Sequence, residues 1–279
     1  MEIVETVADM RVARARMRGQ VGLVPTMGAL HEGHLALVRR AREENGHVIA
    51  TIFVNPTQFN DPKDLLSYPR DMERDLEMLR GEGVDAVFTP TPDVMYPPNY
   101  QTYITVEQVT EGLEGAHRPG HFRGVATVVA KLFNLTQPHR AYFGQKDAQQ
   151  VVVIKRMAAD LNFPLEVVVC PTVREADGLA MSSRNRKLTP EQRQAAPVLY
   201  RALTAAQLAF EKGERDPEVL RQVMRAVLAS EPLAEVEYVS LADAETLHEL
   251  REPITGNTLV SLAVRIGSVR LIDNLIFPG

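Results

Sequence analysis

Along the first two thirds of the chain, short runs of almost unbroken apolar residues are separated by stretches in which apolar positions recur every three or four residues. The runs are Val21–Thr26 (VGLVPT), His47–Asn55 (HVIATIFVN), Val84–Pro90 (VDAVFTP), Arg140–Gln145 (RAYFGQ) and Leu165–Val173 (LEVVVCPTV). A strand buried on both faces shows such a run, whereas a strand with one wet face alternates. Helical spacing falls between them, at His34–Glu44, Tyr68–Arg80, Val125–Leu135 and Ala148–Leu161. Strands and amphipathic helices in alternation predict an open parallel sheet.

After Val173 the pattern changes. Two helical stretches rich in Ala, Arg and Glu, Pro190–Lys212 and Pro217–Ser230, precede three strand-like runs, VEYVSLA, TLVSLAVRI and VRLIDN. The expected fold class is therefore α/β: a Rossmann-like parallel sheet with helices on both faces over residues 1–175, and a smaller C-terminal α+β domain over 176–279. The crevice between two such units is a natural place for a substrate. No internal repeat is visible.

Composition adds exclusions. A formal charge of −5 argues against a broad nucleic-acid surface but leaves room for a local anion site. The one cysteine, Cys170, rules out an internal disulfide and a cysteine-based zinc site and reads as a core residue. No stretch is apolar for long enough to span a membrane, and the N-terminal segment lacks the apolar core of a secretory signal, so a cytoplasmic protein is expected.

In an open α/β sheet, ligands gather beyond the carboxyl ends of the strands, near helix N-termini that favour anions. The segment VPTMGALHEGH sits at such a place and carries His31 and His34. Its glycines allow close approach to a nucleotide, and imidazoles supply donors for charge developing on a phosphate. Zinc would need a third ligand, and the H-E-x-x-H spacing is absent.

Four more segments carry polar groups at strand ends or in loops. IFVNPTQF offers the amides of Asn55 and Gln58, or equally an Asn-Pro turn beside a solvated glutamine. FGQKDAQQ places Lys146, Asp147 and Gln150 at a helix start, where Asp147 serves as an N-cap or Lys146 as a phosphate ligand. READGLAMSSRNRKL is either a linker between domains or a set of hydroxyl and guanidinium donors for a triphosphate. RPGHFRGV, with Arg118, His121 and Arg123, and YPRDMERD, ending at Asp75, read locally as capping residues and charged helix starts.

PTMGALHEGH, FVNPTQF, YPRD, GHFRGV, FGQKDAQQ, VREADGLAMSSRNR and RLIDN, in this order, resemble the pantoate–β-alanine ligase family over nearly the whole chain. The HxGH element and the MSSR loop are also similar to the HIGH and KMSKS signatures of the wider nucleotidyltransferase superfamily. The resemblance implies a two-step ligation. Pantoate is adenylated by magnesium ATP with release of pyrophosphate, and the amine of β-alanine then displaces AMP. It implies His34 as the proton-donor histidine with His31 as partner, and Lys146 on the phosphates. ATP would be held by Met27, Gly28, Ala29, Leu30, His31, Glu32, Gly33 and His34, by Gly144, Gln145, Lys146 and Asp147, and by Val173, Met181, Ser182, Ser183 and Arg184. Pantoate would meet Gln58 and Gln150, with Gln58 also bordering β-alanine. Mg2+ is the implied cofactor and a homodimer the implied assembly. Asp75 is a candidate magnesium contact, although Arg74 stands where many relatives carry a second acidic residue. The alternative is a nucleotidyltransferase that adenylylates a small phosphorylated acceptor and stops there. A tRNA-charging enzyme is disfavoured by chain length and negative charge, and an ATP-binding scaffold would bind without turnover.

Overall fold

The computed structural model describes all residues from Met1 to Gly279. Contacts divide the chain into two compact units, the first comprising residues 1–144 and 153–171, the second 145–152 and 172–279.

The first unit is built on six parallel strands: β1 (Glu2–Val4), β2 (Val21–Thr26), β3 (His47–Ile52), β4 (Ala86–Phe88), β5 (Arg140–Gly144) and β6 (Glu166–Cys170). They lie in the order β1-β4-β3-β2-β5-β6. The connecting helices are α1 (Val7–Arg16), α2 (Glu32–Glu44), α3 (Pro62–Leu66), α4 (Met72–Gly81), α5 (Pro92–Met95), α6 (Leu113–His117), α7 (His121–Thr136) and α8 (Ala148–Asp160). Right-handed crossovers place α2 and α4 on one face and α7 and α8 on the other. Accordingly Leu37, Val38 and Ala41 of α2 and Leu79 of α4 share one core with Val24, Val48 and Val87 of the sheet. On α7 nearly every side chain is buried, so its apolar pattern runs all round the helix.

Strand order reverses at β2, which pairs with β3 on one side and β5 on the other. Such a reversal opens a crevice at the carboxyl ends of the two diverging strands, here just beyond Thr26 and Gly144.

The second unit contains α9 (Pro190–Ala195), α10 (Val198–Glu211) and α11 (Pro217–Ala229), then an antiparallel meander of β7 (Ala234–Asp243), β8 (Thr258–Ile266) and β9 (Val269–Phe277). Leu199 and Leu203 of α10 and Leu220 and Met224 of α11 pack on Leu241, Val260 and Leu262 of the sheet.

Three differences from the sequence reading have plain causes. The stretch expected as one helix over Pro190–Lys212 is two, because Pro197 caps α10 rather than continuing α9. β1 and α1 escape the apolar pattern: β1 is three residues long, and α1 buries only Met10 and Ala13. Contacts divide the chain at Pro171 rather than after residue 175 and assign residues 145–152 to the second unit. The reason for the latter is local: the Asn274 side chain on β9 binds the main chain at Gln145 and Lys146.

Candidate active site

Beyond Thr26 the chain makes a tight left-handed turn, with φ of 79° at Gly28 and 51° at Ala29. Glycine is required at the first position. A Cβ there would lie 2.9 Å from Asp75 Oδ2 and 3.0 Å from Ile52 Cγ2. Ala29 tolerates a conformation that is strained for a residue with a side chain because Asp75 of α4 clamps the turn. Its Oδ2 accepts from Ala29 N at 2.7 Å and its Oδ1 from Leu30 N at 2.8 Å, with the carboxyl only 1% exposed. Arg74 adds a bond from Nη1 to Leu30 O at 3.2 Å. Arg74 therefore helps to hold the turn.

Both oxygens of Asp75 are thus used within the protein, in a buried position that does not suit a metal ligand. No cluster of three or more His, Cys, Asp or Glu side chains is arranged to hold an ion. The residues present fit magnesium arriving on a polyphosphate better than magnesium in a cage of carboxylates.

The turn delivers the chain to α2, which starts two residues earlier than the apolar spacing predicts. His31 is its N-cap: Nδ1 accepts from Gly33 N at 3.2 Å. His34, at the third helical position, reaches back with Nδ1 to His31 N at 3.4 Å, completing a reciprocal capping box. The rings lie 4.1 Å apart between centroids, tilted by 41°. A backbone N–H bonds only to an unprotonated ring nitrogen, so each neutral ring carries its proton on Nε2. Two N–H donors are thereby fixed at the N-terminus of a helix, where a phosphate is favoured.

Gln58 follows β3 in a single 3-10 turn, Pro56–Gln58, and is buried. Its Nε2 lies 3.2 Å from Met27 Sδ, and its Oε1 accepts from Asn55 Nδ2 at 3.0 Å. Asn55 Oδ1 in turn accepts from Tyr96 Oη at 2.8 Å and Thr57 Oγ1 at 2.9 Å. Burial pushes the Tyr96 hydroxyl up to about 12. The main-chain carbonyl of Gln58 accepts from His121 Nδ1 at 2.9 Å, and Arg118 Nη1 lies 3.2 Å from His121 Nε2. Gly124 lets α7 come this close, because a Cβ there would lie 2.4 Å from Thr57 O. The GHFRGV segment, read locally as caps and solvated charge, thus carries the loop that holds Gln58. Sequence patterns give no sign of that contact, since it joins residues more than 60 positions apart.

In the second unit, Gln145, Lys146 and Asp147 form a 3-10 turn ahead of α8, on whose first turn Gln150 is half-buried. Lys146 Nζ lies 3.6 Å from Asp147 Oδ1. The polar stretch after β6 is a pinned hairpin and not a spacer. Met181 N donates to Val173 O at 2.9 Å, and Arg174 bridges to Ala180, which brings Val173 and Met181 side by side. Ser182 then caps the 3-10 turn Ser183–Lys187, its Oγ accepting from Arg184 N at 3.2 Å. Arg174 grips Asp273 with two bonds, 2.6 and 3.0 Å, and stacks 4.1 Å from the Tyr200 ring centroid. Burial raises the Asp273 carboxyl above its usual value while Arg174 pulls it back.

The first unit therefore gathers Met27, Gly28, Ala29, Leu30, His31, Glu32, Gly33, His34 and Gln58 around the carboxyl ends of β2 and β3, with Gly144 at the end of β5. The second gathers Gln145, Lys146, Asp147 and Gln150 in one segment and Val173, Met181, Ser182, Ser183 and Arg184 in another. Donors at a helix start, a lysine, and hydroxyl and guanidinium groups suit phosphate, while amides suit hydroxyls and a carboxylate.

Comparison with known proteins agrees with this chemistry. A family model described as pantoate-beta-alanine ligase matches residues 2–276. The pantothenate synthetase of Roseiflexus sp. (strain RS-1) is 63% identical over 279 residues, covering all of both chains. That of Moorella thermoacetica is 57% identical, covering 99% of this chain and 98% of its own. The crystal structure of pantothenate synthetase from Thermus thermophilus superposes with a TM-score of 0.95 at 50% identity, covering 99% of each chain. A pantoate-beta-alanine ligase from Francisella tularensis, crystallised with β,γ ATP and β-alanine, superposes with a TM-score of 0.81 at 35% identity, covering 99% of this chain and 97% of that one.

Proposed function

The chain belongs to the pantoate-beta-alanine ligase family and joins pantoate to β-alanine with ATP, yielding pantothenate, AMP and pyrophosphate; we propose that it does so in two steps through an enzyme-bound pantoyl adenylate. In the first step a pantoate carboxylate oxygen attacks the α-phosphorus, and the bond to the bridging oxygen of pyrophosphate breaks. In the second the β-alanine nitrogen attacks the acyl carbon, AMP leaves, and the nitrogen gives up a proton.

The observation that carries this reading is the reciprocal cap of His31 and His34, which commits both Nδ1 atoms to the backbone and so leaves Nε2–H as the donor of each neutral ring. Negative charge grows on the non-bridging and leaving oxygens during displacement at phosphorus, and fixed donors stabilise it without reorganising. His34 is the donor to that charge and His31 its partner. Lys146 neutralises the phosphates. The turn Met27–Leu30, Glu32 and Gly33 form the first nucleotide segment, Gly144–Asp147 the second, and Val173 with Met181–Arg184 the third. Gln58 and Gln150 hold pantoate by its hydroxyls and carboxylate, and neutral amides leave that carboxylate nucleophilic. Gln58 also borders β-alanine.

Magnesium enters as part of the ATP substrate, held by phosphates and waters; the engagement of Asp75 with the turn supports this. A homodimer follows from the family resemblance. Cytoplasmic residence is supported by the absence of a helix long and apolar enough to cross a membrane and by the single free cysteine.

The test is to follow pyrophosphate and AMP with magnesium ATP and pantoate, with and without β-alanine. The expected result is pyrophosphate release of about one equivalent per site without β-alanine, and AMP over many turnovers only when β-alanine is present. If no pyrophosphate forms until β-alanine is added, the adenylate is not a separate intermediate. Gln58→Ala is expected to raise the pantoate KM by about 10- to 10²-fold, the size of one or two hydrogen bonds to a charged group. The ATP KM should move little. A change confined to ATP would contradict the assignment.

A further inference from the structure

RLIDN, at the centre of β9, is a motif of the sequence to which the ligation chemistry assigns no role. In the structure Asp273 and Asn274 are among the few fully buried polar residues of the second unit, with exposures of 2% and 4%. Asn274 spends its whole amide on one segment. Its Oδ1 accepts from Gln145 Nε2 at 2.9 Å, and its Nδ2 donates to Gln145 O at 3.0 Å and Lys146 O at 2.9 Å. Asp273 takes the other direction: its carboxyl receives both guanidinium nitrogens of Arg174. It also accepts from Asn274 N at 2.8 Å, which locks the two side chains into one arrangement. Arg174 lies next to Val173, whose carbonyl pairs with Met181 N.

We propose that Asp273 and Asn274 form a positioning element: Asn274 sets the main chain that carries Lys146, and Asp273, through Arg174, sets the hairpin that leads to Met181–Arg184. Neither residue touches substrate in this assignment. Both act through the groups they hold, and the proposal rests on the reading of Lys146 as the phosphate ligand. The amide of Asn274 suits the task because it offers one acceptor and two donors, matched to one side-chain donor and two carbonyls. A β-strand is a rigid mount for such a clamp, and the strand carries it at its hydrogen-bonded centre, where Asn274 stands opposite Ser261 of β8.

The role separates from mere support of the fold by its effect on substrates. Asn274→Asp keeps the acceptor for Gln145 but sets carboxylate oxygen against the two carbonyls. It is expected to lower kcat/KM for ATP by about 10- to 10²-fold, because small displacements of a phosphate ligand are costly. The pantoate KM should change less than kcat/KM for ATP, because Asn274 binds the main chain at Gln145 and Lys146 and touches neither Gln58 nor Gln150. Asn274→Ser, with a hydroxyl that reaches at most one carbonyl, should lose less and serves if the aspartate variant does not fold.

The decisive comparison is the double variant with Lys146→Ala. If Asn274 acts through Lys146, the double variant is no slower than Lys146→Ala alone, since the positioned group is already missing. Losses that multiply, or kcat/KM for ATP within about threefold of the parent in both Asn274 variants, would overturn the proposal. Should Lys146→Ala by itself leave the ATP step intact, the phosphate role of Lys146 falls, and with it the purpose assigned to the clamp.

Discussion

His34→Ala is expected to lower the rate of pyrophosphate release by about 10²- to 10³-fold, the usual loss on removing one donor aimed at developing charge. The fold should survive nearly unchanged. The cap from His34 to His31 N is long at 3.4 Å, and His31 still accepts from Gly33 N, so α2 loses only part of its cap. The cost to stability is about 0.5–1 kcal/mol. Pre-steady-state pyrophosphate release and a thermal melt separate the two effects. A folded variant that turns over at the parent rate would remove His34 from the chemistry and leave it as a cap alone.

Asp75→Ala is expected to act in the opposite order, on stability first and on rate as a consequence. It removes the acceptor of the Ala29 and Leu30 N–H groups in a buried turn, two bonds of 2.7 and 2.8 Å. Each such loss costs about 1–3 kcal/mol, giving roughly 2–6 kcal/mol for the two. At about 2–4 °C per kcal/mol for a domain of this size, Tm should fall by roughly 4–24 °C. With the clamp gone, Ala29 relaxes from φ of 51° and the histidines lose their defined approach, so turnover falls even at temperatures where the variant is folded. Asp75→Asn, which keeps one acceptor, should fall between the two. A variant with unchanged Tm and a raised magnesium requirement would instead make Asp75 a metal ligand.

What the sequence shows and hides follows from the range of the forces involved. β2 and β8 match their apolar runs residue for residue, because strands buried on both faces carry the signal within themselves. The segments proposed to hold the nucleotide can be picked out in the sequence because each is contiguous. The start of α2 is misplaced by the apolar spacing because histidine is not among the residues that ordinarily cap a helix. The i, i+3 spacing that points to a phosphate site is also that of a capping box, and in the structure the pair forms that box. The polar stretch after β6 offers no apolar period to mark it as ordered. It is pinned instead by Arg174, Asn185 and Arg193, whose partners include Asp273, Glu175 and Asp177. Asp75, Tyr96 and His121 act at a distance along the chain, on Leu30, Asn55 and Gln58, and local patterns carry no trace of such pairings.

The bonds from Tyr96 through Asn55 to Gln58 also have a direction. A carboxamide looks nearly the same when turned end for end, yet turning it exchanges attraction for repulsion toward an anion. A hydroxyl held near 12 stays protonated through the whole working range of pH and loses its proton only as pH climbs through that value. Tyr96 gives its proton to Asn55 Oδ1 alongside the main-chain N–H and hydroxyl of Thr57, while Asn55 Nδ2 meets the Gly124 carbonyl; this faces Asn55 Nδ2 to Gln58 Oε1 and turns Gln58 Nε2 toward Met27. Phenol, hydroxyl and main chain thus write the polarity of two amides in series, and the side chain at the end of the row would meet the acid proposed for it with its hydrogens first.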